Sequence, residues 1–293
     1  MTVTAAQVKE LRERTQAGMM ECKKALEKTS GDMDAAIEEL RKSGQAKANK
    51  KASRIAAEGV VIIKTSADGK QAVLLEINSE TDFVARDENF LTFADAVAKT
   101  ALAAKVSDVQ VLGSKTLIDG GVVIEESRQA LIAKVGENIN IRRVVTLDSK
   151  TTVGTYLHGN RIGVLVELDV ENPDLAKDIA MHIAASKPLV VNPSEVSADV
   201  IAKEKEIYMA QAAGSGKPQD IIEKMVAGKL KKYLDEISLV GQPFIKDPDI
   251  LVASLLNKHR AKVVSFARFE VGEGIEKETE DFVEAVMAQV HGG

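Results

Sequence analysis

The chain carries an internal duplication, and that restricts its fold more than any other feature. Val73-Leu74-Leu75-Glu76-Ile77 recurs as Val164-Leu165-Val166-Glu167-Leu168. Each copy follows a turn and leads into an Ala-rich helical stretch, so two similar strand–turn–strand–helix units are expected, an α+β arrangement with antiparallel sheets. The copies differ at one place. After the second, Asp169-Val170-Glu171-Asn172-Pro173-Asp174 runs almost directly into its helix; after the first, about eight further residues intervene, within Asn78-Ser79-Glu80-Thr81-Asp82-Phe83-Val84-Ala85-Arg86-Asp87-Glu88-Asn89-Phe90. An insertion in one copy of a repeat belongs on a loop, often at a binding face.

Around this core the patterns place other modules. Residues 1–55 read as three short helices. Thr4-Ala5-Ala6-Gln7 is a capping box, Met19-Met20 open a second helix, and Asp32 caps a third containing Ile37 and Leu40. The Ala-rich basic stretch 43–53 fits a helical or flexible connector. Gly59-Val60-Val61-Ile62-Ile63-Lys64-Thr65 pairs with 71–77 across the turn Ala67-Asp68-Gly69-Lys70. Thr92-Phe93-Ala94-Asp95 reads as the capping box of the next helix, 124–135 as helix and 139–147 as strand. Strands 152–157 and 162–168 turn through His158-Gly159-Asn160-Arg161. Residues 197–240 read as a helical hairpin broken at Gly214-Ser215-Gly216-Lys217-Pro218, with Pro218 in the first turn of the returning helix. Helix 251–256, strand 261–271 and an amphipathic helix over 282–290 complete the chain. The resulting division is 1–55, 56–145, 146–196 plus 241–271, 197–240, and 272–293. A projecting hairpin cannot bury its apolar stripe alone, so it calls for another copy of the chain or a second protein.

Charge and composition exclude several classes. The single cysteine, Cys22, rules out a disulfide framework and a thiolate metal cluster and fits a reducing cytosol. No apolar run reaches the roughly 20 residues that span a bilayer, which makes a cytoplasmic chain the expectation. A net charge of −5 argues against a general nucleic-acid binder, although Arg41, Lys42, Lys47, Lys50, Lys51 and Arg54 form a basic strip.

Catalytic motifs fail on inspection. Gly214-Ser215-Gly216-Lys217 is followed by Pro218 where a phosphate loop needs Ser or Thr, and Gly113-Ser114-Lys115-Thr116 lacks the earlier glycine and strand. His158, His182, His259 and His291 show no metal-ligand spacing. Cys22 sits on an amphipathic pattern as a small hydrophobe. A protein that acts by binding, without a cofactor or metal of its own, is expected. In a chain with 3% aromatics, Phe83 either folds back on Phe90 and Phe93 or projects as an interface anchor.

Two segments resemble signatures of a known family, translation elongation factor Ts, the nucleotide-exchange factor of elongation factor Tu. They are Leu11-Arg12-Glu13-Arg14-Thr15-Gln16-Ala17-Gly18-Met19-Met20-Glu21-Cys22-Lys23-Lys24-Ala25-Leu26 and Glu76-Ile77-Asn78-Ser79-Glu80-Thr81-Asp82-Phe83-Val84-Ala85-Arg86. Gln16 and Asp87 depart from the family's usual glycine and asparagine. The resemblance covers essentially the whole chain. It implies a ubiquitin-associated-like helical module, a duplicated α+β core, a protruding helical hairpin and a carboxy-terminal helix. It further implies that Thr81, Asp82, Phe83 and Val84 push into the GTP-binding domain of elongation factor Tu near its Mg²⁺ site, the aromatic wedged between partner helices. Arg12, Met19, Met20 and Lys23 would touch the same domain, and His158 and Gly159 a distal β-barrel domain. The expected partner is elongation factor Tu, with a homodimer through the hairpin as a further option and no direct nucleic-acid or membrane contact. Two rivals stay open: an RNA- or ribosome-binding protein using 41–54, whose affinity would fall steeply with salt, and an enzyme with a pocket between the repeats.

Overall fold

The computed structural model describes residues 3–15, 17–213 and 218–276. The expected helix over 282–290, the break at 214–217, Gln16 and His291 lie outside them. In chain order the elements are α1 Ala5–Thr15, α2 Met19–Lys28, α3 Met33–Lys51, β1 Glu58–Thr65, β2 Gln71–Ser79, α4 Asp82–Ala85, α5 Glu88–Ala104, α6 Val109–Gly113 and α7 Ile124–Val135. There follow β3 Ile139–Asp148, β4 Gly154–His158, β5 Ile162–Leu168, α8 Pro173–Ser186, α9 Ala198–Ala213, α10 Gln219–Ile237, β6 Pro243–Phe244, β7 Asp247–Leu251, α11 Val252–Lys258 and β8 Val263–Glu270. The strand orders are β1-β2-β3, β4-β5-β8 and β6-β7, which together with the helices make an α+β fold. The chain forms two compact units. Of the described residues, one gathers those within 3–61, 75–144 and 270–276; the other gathers those within 62–74 and 145–269.

In the first unit, α1 opens on a reciprocal capping box. The Thr4 N–H donates to Gln7 Oε1 at 3.0 Å, and the Gln7 N–H donates to Thr4 Oγ1 at 3.3 Å. Asp32 caps α3 by accepting from the Ala35 N–H. Leu11, Cys22, Ala25, Leu26 and Ala36 close the small core of these three helices, and Cys22 is the apolar filler that its pattern suggests. The basic stretch resolves as helix, because α3 continues to Lys51 and packs along α7. Most of its cations meet acids or carbonyls of the same unit: Arg41 pairs with Glu126, Lys42 with Glu38, Lys47 with Glu21, and Lys51 donates to Gly136 O.

The start of α5 is a correction. Thr92 is an exposed residue inside the helix, and the cap is Asp87, whose Oδ1 accepts from the N–H groups of Asn89 and Phe90. A carboxylate that takes two orphan donors starts the helix upstream of a capping-box match further along the chain. From there α5 buries Phe90, Phe93, Ala94, Val97, Ala98 and Ala101. The inserted segment is therefore a one-turn helix followed by an extra turn of α5.

In the second unit, Gly154↔Val166 through His158↔Ile162 pair antiparallel. Val164, Val166 and Leu168 alternate onto one face, and α8 lays Leu175, Ala176, Ile179, Ala180 and Ile183 against them. Asn172 Oδ1 caps α8 through the Leu175 N–H, with Pro173 in its first turn. Gly154 permits the close approach of strand and helix: a Cβ there would lie 2.5 Å from the Ala176 backbone. The hairpin β6-β7 escaped the sequence reading, because two residues of Pro243–Phe244 carry no period; accordingly Leu251 ends a strand, and the helix begins at Val252. Pro218 likewise precedes α10 as its cap residue. Helices α9 and α10 bury Ala212, Ile222 and Val226 between them, while Val200, Ile207 and Ile221 stay exposed.

His182 on α8 is fully buried. Its Nδ1 accepts from the Ile245 N–H at 3.2 Å, which leaves Nε2–H to donate to Gln242 Oε1 at 2.9 Å. Burial pushes the imidazole below its ordinary range, outweighing the opposing pull of Gln242. The folded pKa thus lies below the unfolded value of about 6.5, and the stability held by the neutral ring is complete above that pH and lost as pH falls towards the folded value. A thermal-unfolding series should show Tm dropping as pH falls below about 6.5. His182→Gln should flatten that drop, and an unchanged slope would assign the acid sensitivity to another group.

Candidate functional site

The insertion leaves β2 at Ser79 and makes a single helical turn, α4. A four-residue helix cannot meet its own nucleation cost, so outside groups must hold it. Thr81 is its N-cap, and Thr81 Oγ1 accepts from the Val84 N–H at 3.3 Å. Glu137, just past the αL residue Gly136 that ends α7, receives both donors of Thr81: the N–H at 3.0 Å and the hydroxyl at 2.7 Å. Glu80 answers in the other direction, its Oε1 accepting from the Asn138 N–H at 2.6 Å. Asn138 Nδ2 in turn donates to Arg54 O, beyond the end of α3. Ser79 Oγ donates to Thr81 O, and the Asp87 N–H donates to Val84 O before Asp87 caps α5. Hydrogen bonds from Asn89 Nδ2, and from the Phe90 and Asn89 N–H groups, hold the Asp87 carboxyl below its usual range.

The side chains of this turn divide sharply. Ala85 faces inward, Val84 is half-buried, and Phe83 stands 81% exposed while Phe90 and Phe93 lie in the core. The alternative in which Phe83 folds back on those two rings is excluded. Asp82 forms an i,i+4 pair with Arg86 at 2.8 Å, a surface pair of small worth that a partner can exchange.

Below the turn, β2 carries a buried charge. Glu76 accepts from the Gly272 N–H at 2.8 Å, Arg143 Nε at 2.6 Å, Arg142 Nη1 at 3.1 Å and Asn78 Nδ2 at 3.1 Å. Burial opposes its ionisation, but the Gly272 N–H, Arg143 and Asn78 together hold its carboxyl below the ordinary range. Asn78 Nδ2 also donates to Glu58 O, which ties β2 to β1 where the insertion departs.

The other residues singled out from the sequence fall in two places. Arg12 on α1, and Met19, Met20 and Lys23 on the first turns of α2, are exposed in the same unit as the Phe83 turn. His158 ends β4 and Gly159 begins the exposed β4–β5 turn of the second unit, Gly159 at φ +55° and His158 Nδ1 3.4 Å from the Tyr156 hydroxyl. Glu137 had escaped the sequence reading. It sits 56 positions from Thr81, and no local pattern couples the two. Among the described residues no group of three or more His, Cys, Asp or Glu is placed to hold a metal ion, and no helix is long and apolar enough to cross a membrane.

Comparison with known proteins bears on the same residues. The family model described as Elongation factor TS matches residues 80–273. Elongation factor Ts of Thioalkalivibrio sulfidiphilus is 59% identical over all of this chain and all of its own length. Elongation factor Ts of Legionella pneumophila (strain Philadelphia 1) is 56% identical over 99% of each chain, and that of Coxiella burnetii (strain RSA 493) 55% over 99% of each. The clamped Phe83 turn lies within the matched region, and the chain belongs to the elongation factor Ts family.

Proposed function

We propose that the chain is a guanine nucleotide exchange factor for elongation factor Tu, acting in translation elongation by protein–protein binding rather than as an enzyme. The observation that carries this reading is Phe83, an 81% exposed ring on a turn held from outside. An aromatic presented to water on a turn held from outside suits an interface anchor. The mechanism follows from linkage. A chain that binds the nucleotide-free partner more tightly than the GDP form must lower GDP affinity by the same factor. GDP is held largely by Mg²⁺ and charge-assisted bonds to its phosphates, so a ring driven between helices beside that site weakens the strongest contacts.

In this reading Thr81, Asp82, Phe83 and Val84 form the wedge, with Asp82 as a polar anchor released from Arg86. Arg12, Met19, Met20 and Lys23 make a second contact on the same partner domain. His158 and Gly159 engage another domain. The exposed Val200, Ile207 and Ile221 of the hairpin serve a homodimer or the partner. The function needs no cofactor of the chain's own and is cytoplasmic, and the five-module division 1–55, 56–145, 146–196 plus 241–271, 197–240 and 272–293 is kept. Pairing of Arg41, Lys42 and Lys47 with acids weakens the case for a phosphate-binding strip. The test is release of a fluorescent GDP analogue from elongation factor Tu chased with excess GDP. A substoichiometric amount of the chain should accelerate release with turnover. No acceleration of an active, species-matched partner would reject the reading.

A further inference from the structure

We propose that Glu137 is a positioning residue for exchange: its carboxylate clamps Thr81 and thereby holds the one-turn helix that presents Phe83. The inference rests on the proposed exchange function. The geometry is that of a relay. Thr81 Oγ1 gives its hydrogen to Glu137 Oε1 at 2.7 Å, which turns its lone pair towards the Val84 N–H at 3.3 Å. Glu137 Oε2 takes the Thr81 N–H at 3.0 Å, so one carboxylate fixes both the backbone and the rotamer of the cap residue. The neighbouring residues repeat the exchange in reverse, Glu80 accepting from the Asn138 N–H at 2.6 Å. Two dipeptides, Glu80-Thr81 and Glu137-Asn138, are thus locked to each other by carboxylate-to-amide bonds, the stronger kind of hydrogen bond. Phe83 lies two residues past the cap, so its direction depends on a helix too short to stand alone. A turn that is ordered only part of the time binds in proportion to its competent fraction.

The experiment has two readouts. Amide hydrogen exchange is measured across 81–87 in the free chain, and GDP-analogue release from elongation factor Tu is measured with Glu137→Ala, Glu137→Gln and Thr81→Val. Glu137→Ala should speed exchange of the 82–87 amides about tenfold while β2 amides keep their protection, and should lower the rate of GDP release about tenfold. Glu137→Gln, which sets an NH₂ against one of the two donors, should fall between. In a Phe83→Ala background Glu137→Ala should cause no further loss, because the residues then act as one unit.

Unchanged amide protection overturns the clamp. Loosened amides with unchanged GDP release overturn its role in exchange, as does an equal loss in the Phe83→Ala background, which would mark a general structural effect. Should Glu137→Ala not fold, Thr81→Val exchanges the hydroxyl for a methyl group and reads the same amides. Absence of acceleration by the unsubstituted chain would sink the exchange reading and this role with it. That case is told apart from failure of the clamp, because amide rates are read without any partner.

Discussion

If the chain acts as the proposed exchange factor, Phe83→Ala should slow its acceleration of GDP release by about 30-fold and leave its thermal unfolding where it was. The magnitude follows from the cost of truncating an interface anchor, about 2 kcal/mol or more, at about 1.4 kcal/mol per tenfold. The constancy of unfolding follows from exposure: at 81% exposed, the ring contributes little to the core, and its removal opens no cavity. The backbone of the turn is held by Thr81, Glu137 and Asp87, none of which the substitution touches. Asp82→Ala, by contrast, breaks only an exposed pair with Arg86 and should leave folding unchanged. Parallel stopped-flow release and calorimetry decide the matter. A wild-type release rate for Phe83→Ala removes the wedge from the mechanism, and a lowered Tm would show that the ring packs in solution.

The second large effect is on stability. Glu76→Ala should cost about 3 kcal/mol, the lower end of the range for removing one member of a buried ion pair, because Arg142 and Arg143 keep 22% and 27% of their side-chain surface in water. For a chain of this size that lowers Tm by roughly 6–12 °C. The substitution leaves the Gly272 N–H without its acceptor as well. The pH dependence has a definite sign. The Glu76 carboxyl is held below its ordinary range in the folded chain, so its contribution is complete above the unfolded value of about 4.3 and disappears as pH falls through the lower folded value. Thermal scans at pH 7 and pH 4 should therefore converge for Glu76→Gln more than for the unsubstituted chain. A loss below about 1 kcal/mol for Glu76→Ala at pH 7 would mean that Glu270 O and Glu273 already compensate Arg143.

Much of the local architecture was legible because its causes are local. The capping box at Thr4 and Gln7 and the cap at Asp32 are contacts between residues within one helical turn. Helix α7 and strand β5 fell where their periodicity placed them. The errors have a physical cause too. Thr92 satisfied a capping pattern, but Asp87 upstream offered a carboxylate to two amides, and the earlier cap won. The hairpin β6-β7 was hidden because it is held by buried Phe244 and by the neighbouring Gln242, whose amide reaches Ser186 O, 56 positions away.

The amino-acid sequence by itself determined the α+β class and the family, since period, capping residues and long motifs are written in neighbouring positions. Only the tertiary structure decided that Phe83 projects while Phe90 and Phe93 are buried, that Glu137 grips Thr81, and that Glu76 gathers Arg142, Arg143 and Gly272. Each of these depends on groups brought together across 56 to 196 positions of chain. Their energies come from removing charges and amides from water in company, which no stretch of sequence can register until the fold has closed around them.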